Sequence, residues 1–136
     1  SGTFQGKNSP LATPNTVAIR DINANTAVNA VVENTEVVVS SSGINSLNVA
    51  SAPIQILTGT QPQTYILPNA TTIVPNQSYK FINNSIGRIT LNTSGGATLT
   101  TIPAGYVTTV YCTSVATVAG ITADIDFVEY HGIIVA

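Results

Sequence analysis

A chain of 136 residues is long enough for one domain and short for two, and at this size a hydrophobic core can form without metals or cross-links. Apolar residues make up 43% and charged residues 7%, against about 25% charged in ordinary soluble domains. Asn, Thr and Ser replace the missing charge, and the four Lys+Arg (Lys7, Arg20, Lys80 and Arg88) are scattered, which excludes the phosphate-neutralising footprint of a nucleic-acid binder.

Residues 1–15 (SGTFQGKNSPLATPN) hold two Gly and two Pro without apolar periodicity and read as a flexible or partner-wrapped lead. Thr16 to Ser42 contains neither Gly nor Pro. A helix over Ala24–Glu36 is open there, but Val, Thr and Asn dominate, and these restrict rotamers or compete for backbone hydrogen bonds in a helix. Short strands at Val17–Asp21, Ala27–Glu33 and Glu36–Ser40 are the preferred reading, with turns at Ile22–Asn25 and Asn34–Thr35.

From Ala50 onward the rhythm is clearer. Strands are expected at Ile54–Leu57, Thr64–Leu67, Tyr79–Asn83, Ile89–Asn92, Thr98–Ile102, Val107–Thr113 and Asp124–Val135. Gly59, Pro62, Pro68-Asn69, Pro75-Asn76, Gly87, Gly95-Gly96, Pro103 to Gly105 and Gly120 punctuate them. In Tyr79–Asn83 the period-two pattern puts Tyr79, Phe81 and Asn83 on one face and Lys80 and Ile82 on the other. Strands at this spacing point to an all-β sandwich or barrel, and an antiparallel, jelly-roll-like β-sandwich is the expected fold. Residues 16–136 read as one domain, with 16–49 as neck strands and 50–136 as the core.

Cys112 stands alone, which excludes an internal disulfide framework and any multi-cysteine zinc site; it reads as a buried, small apolar residue. No apolar run approaches a membrane span, so no membrane insertion is expected. The start Ser1-Gly2-Thr3 lacks a signal-peptide pattern and a starting Met, and reads as a cut fragment with a cloning remnant.

Two stretches resemble a known module. Ala50–Pro68 (ASAPIQILTGTQPQTYILP) and Asn69–Asn84 (NATTIVPNQSYKFINN) are similar to the C-terminal head of phage tail fibres and giant-virus surface fibre proteins. That pattern runs S-P-x-x-Q-x-F-T-G-T-x-x-Q-T-x-x-L-P into A-T-T-L-x-x-G-x-x-Y-x-F-x-N-N-S. Ser85–Leu91, Gly95-Gly96 and Val107–Cys112 continue it, and Thr13–Asn25 (TPNTVAIRDINAN) resembles the leading repeat T-x-N-T-x-x-x-R-D-x-x-G-N. The likeness covers roughly residues 13–113. This chain departs from it at Ala24, where the repeat has Gly, at Pro75-Asn76, where the module has a glycine turn, and in having no Trp.

The resemblance implies a virion-surface head that assembles as a homotrimer, binds a host surface glycan or glycoprotein, and meets other fibre or capsid proteins through its N-terminal end. Short turns suit survival among proteases, and a trimer would cover sheet edges that otherwise invite pairing. Alternatives are a purely structural trimerisation or capsid-decoration module, and a bacterial surface adhesin that exchanges a strand from residues 1–40.

Catalytic templates find little. A Ser-His-acid triad would have only His131 and no G-x-S-x-G elbow, and no H-E-x-x-H, P-loop or dinucleotide fingerprint occurs. Acid pairs such as Asp21 with Asp126 carry no mark of a glycosidase. Asp124, Asp126, Glu129 and His131 form the densest polar cluster, but period two splits them between strand faces, so four ligands would converge only through a bulge. No enzyme activity and no cofactor are expected. Tyr65, Tyr79, Tyr106, Tyr111 and Tyr130 are the ligand-binding candidates, since an apolar ring with a polar tip suits sugars and protein partners; half-buried strands favour Tyr for packing as well. Asn69, Asn76, Asn83 and Asn92 begin N-x-S/T patterns, which arise easily by chance in so Asn- and Thr-rich a chain.

Overall fold

The computed structural model describes residues 22–123, together with two short strands, β1 (Asn8–Ser9) and β2 (Val17–Ala18). The expected strand at Asp124–Val135 and the remainder of Val17–Asp21 lie outside the described residues. The chain divides into two compact units, 1–32 and 33–136.

In the first unit β1 and β2 pair in parallel, with Asn8 beside Val17. The turn expected at Ile22–Asn25 is present, and Ala24 takes a left-handed backbone there (φ 66°). Neither the strand expected at Ala27–Glu33 nor the alternative helix forms. Residues 22–33 are exposed throughout, so the Val residues of that stretch have no apolar layer to hold them in a ladder.

The second unit contains β3 (Thr35–Val39), β4 (Ile44–Ser46), β5 (Ile54–Thr58), β6 (Gln63–Ile66), β7 (Ser78–Asn83), β8 (Ile89–Asn92), β9 (Thr98–Ile102), β10 (Val107–Cys112) and β11 (Ile121–Ala123). One sheet has the order β11-β10-β7-β5-β3 and the other β4-β6-β8-β9. From β3 to β8 consecutive strands alternate between the sheets, so the chain winds through three stacked coils and each strand lies parallel to its counterpart one coil later. Antiparallel strands follow: β9 on β8, β10 on β7 and β11 on β10. The all-β expectation therefore stands, but the sheets are mixed where antiparallel, jelly-roll-like ones were expected. The cause is local. Short turns after β3, β5 and β7 carry the chain across to the other sheet instead of folding it back beside itself.

A 3-10 turn, Ala70–Thr72, interrupts the return from β6 to β7. The Asn69 side chain caps it by accepting from the Thr71 amide at 2.9 Å.

The two sheets share one apolar cluster. Leu57 of β5, Tyr79 and Phe81 of β7, and Val110 and Cys112 of β10 meet Tyr65 of β6 and Ile89 and Leu91 of β8. The period-two face expected for Tyr79, Phe81 and Asn83 is the buried one. Tyr65 and Phe81 meet edge to face from opposite sheets, with ring centroids 5.1 Å apart and planes at 66°. Burying a side chain such as Leu57 or Phe81 contributes roughly 1.5–3 kcal/mol.

The crossing turns stack as the strands do. Ser42 N donates to Pro62 O at 3.0 Å, Gln61 N to Ser40 Oγ at 2.9 Å, and Ile86 N to Gly59 O at 3.1 Å. Gly87 passes so close to the turn below that a Cβ there would be driven into the Gln61 carbonyl. Asn83 ties this corner to the antiparallel end. Its fully buried amide donates to Gly87 O at 2.9 Å and Ile102 O at 3.0 Å, while its Oδ1 accepts from the Ser85 hydroxyl at 2.6 Å.

Candidate interaction surface

The ladder register decides which side chains leave the outer face of each sheet. On the four-stranded sheet, Ile44, Thr64, Thr90 and Thr101 stand side by side across β4, β6, β8 and β9, and Ser46, Ile66, Asn92 and Thr98 form the next row. That face is mostly hydroxyl and amide, the ordinary composition of a sheet with one side in water.

The outer face of the five-stranded sheet is different. Val37, Ile56, Ile82 and Val107 stand in one row across β3, β5, β7 and β10. Thr35, Ile54, Lys80 and Thr109 form the neighbouring row, and Val39 stands beside Thr58. Val37 is 61% and Val39 70% exposed, and both belong to the edge strand. Val107 is buried without belonging to the central cluster, in keeping with a position on the opposite face. Sequence reading of single strands did not find this surface. Its signal was present in the apolar run Val37–Val39 and in Ile54-Gln55-Ile56-Leu57, where apolar residues fall on both faces of a strand.

The tyrosine candidates separate. Tyr65 and Tyr79 lie in the core, 0% and 1% exposed. Tyr106 and Tyr111 are half-buried; Tyr106 packs against the core, whereas Tyr111 shares the outer face of β10 with Thr109. Tyr130 lies outside the described residues, as do Asp124, Asp126, Glu129, His131 and Asp21. Among the described residues no group of three or more His, Cys, Asp or Glu side chains comes together, and no helix is long and apolar enough to cross a membrane.

Burial pushes the Tyr65 phenol up to about 12, and the Glu36 carboxylate adds to the effect. Among the described residues the Tyr65 hydroxyl, Gln55 Oε1 and Thr93 Oγ1 have no hydrogen-bond partner. Burial also raises the Tyr79 phenol, against a hydrogen bond at 3.0 Å from Gln77 Nε2, which favours the anion. Cys112 is a buried free thiol, donating to Ser114 O at 3.3 Å.

No protein-family model and no curated protein matches the chain. Among solved structures, a chain from one described as a chaperone-substrate complex is similar at a TM-score of 0.46 and 22% identity. The match covers 67% of this chain and 15% of that one, so this chain spans a small part of that protein's length.

Proposed function

We propose that this chain is the head module of an extracellular virion fibre or spike, working as a homotrimer that attaches to a host surface glycan or glycoprotein by contact and not by catalysis. The observation that carries this reading is where the fibre-like sequence falls in the fold. Ala50–Pro68 supplies β5, β6 and the corner between them, Asn69–Asn84 supplies the 3-10 turn and β7, and Val107–Cys112 is β10. These stretches build one continuous body of stacked strands. Its corners are tied by hydrogen bonds to their neighbours, an arrangement that leaves little loose backbone for a protease. A nearly uncharged, hydroxyl-rich surface suits short-range recognition of neutral groups, and three linked copies would let weak single sites act together.

The labelled chain should bind a defined subset of a glycan array, or intact host cells, in a way that multivalent display strengthens. Absence of binding in every format would remove the attachment role and leave a purely structural trimerisation or decoration module. One observation favours that second reading: Tyr65 and Tyr79 place their rings in the core, where no sugar can stack on them.

A further inference from the structure

We propose that strand β3 and the apolar outer face of the five-stranded sheet form the surface on which a second copy of this chain packs, and that the hydroxyl face of the four-stranded sheet stays free. The proposal deepens the self-associating fibre reading and rests on it. Three observations lead there.

The first is the asymmetry between the outer faces. A sheet with one side in water alternates apolar and polar residues; a sheet covered on both sides does not. The four-stranded sheet follows the first pattern, with Thr64, Thr90 and Thr101 outward. The five-stranded sheet follows the second, with Val37, Ile56, Ile82 and Val107 in a row opposite a filled core.

The second is the edge. β3 ends its sheet, and among the described residues it pairs with β5 alone. Its outer-face Val37 and Val39 are 61% and 70% exposed. A parallel edge with apolar side chains on both faces is a template for further pairing. At the other end of the stack the strands are antiparallel, and β11 comes close to β9.

The third is charge, which selects the occupant. Lys80 is the one charged side chain on this face of β3, β5, β7 and β10. A polyanion, a phosphorylated peptide or an anionic membrane would need a cluster of cations. A second copy meets no such demand: it brings another apolar row and a single Lys80, outside that row. Val37, Val39 and the half-buried Ile54, Ile56 and Ile82 together offer roughly 300 Å² of apolar surface, the size of the largest apolar patch on a typical monomer, which is often a functional one. A standard interface buries about 800 Å² per partner, so the second copy would have to cover the β3 edge as well as this row.

The test is sedimentation equilibrium on the full chain, on the double variant Val37→Glu/Val39→Glu, and on Thr101→Glu from the hydroxyl face. The double variant should associate at least about 100-fold more weakly, because like charges would be brought together across the interface. Thr101→Glu should associate as the unaltered chain does. Unchanged association of the double variant would overturn the surface while leaving the fibre reading in place; a monomeric unaltered chain would overturn both. Hydrogen exchange on the unaltered chain decides the matter even if the double variant does not fold. The β3 amides should gain protection as concentration rises through the association range, and amides that exchange equally fast on both sides of it would refute the proposal.

Discussion

Tyr65 permits a quantitative test of how dry and close-packed the interior is. Its side chain is fully buried, its hydroxyl has no partner among the described residues, and its phenol is pushed up to about 12 from an ordinary 10.0. Folding therefore favours the protonated form. The unfolded chain releases this proton near pH 10 and the folded chain near pH 12, so the stabilisation is complete below pH 10 and is lost as pH rises toward 12. A difference of that size between the folded and unfolded chain corresponds to on the order of 2–3 kcal/mol. Tyr65→Phe removes that dependence and also removes a buried hydroxyl left without a hydrogen bond, a defect that costs about 1–3 kcal/mol. The variant should be at least as stable as the unaltered chain near pH 8, by up to about 3 kcal/mol, and its advantage should widen steadily above pH 10. Urea unfolding followed by circular dichroism at fixed protein concentration, from about pH 8 to 12, measures both effects. A loss of more than about 1 kcal/mol near pH 8 would mean that the hydroxyl is partnered. Parallel stability curves above pH 10 would mean that Tyr65 ionises freely. Either result refutes the reasoning.

Replacing Asn83 by Leu should cost about 3 kcal/mol in urea unfolding, because the carbonyls of Gly87 and Ile102 and the Ser85 hydroxyl each lose a partner in the interior. Gly87→Ala should lower stability by several kcal/mol or prevent folding, since the added Cβ collides with the turn below; Gly96→Ala, which meets nothing but has φ +98°, should cost only about 1 kcal/mol in the same assay. Asn76 sits at φ 70°, a conformation that Asn tolerates and Ala does not, so Asn76→Ala should lose about 1 kcal/mol in thermal unfolding while Asn76→Gly loses nothing.

Much of this fold was legible from turn residues. Ile89–Asn92 and Thr98–Ile102 are strands with the bounds expected, because Gly87, Gly95-Gly96 and Pro103 close off short stretches rich in Ile, Leu and Thr. β4 was not legible: Ile44-Asn45-Ser46 has little strand preference and is held by its parallel pairing with β6. The direction of pairing was also hidden. Turns such as Gly59–Pro62 carry the same residue types whether the chain folds back in one sheet or crosses to the other, and only the stacked coils decide between them. Ala24 and Asn76 both have positive φ, the conformation that glycine favours. The apolar outer row is a property of four strands in register. It emerges only when Val37, Ile56, Ile82 and Val107 are placed side by side.

Whether the chain acts through an assembly of its own copies is decided most directly by light scattering on the full chain, across a wide concentration range at neutral pH and moderate salt. A discrete species of about three times 14.0 kDa that persists on dilution is the expected result. A single 14.0 kDa species at every concentration would contradict it.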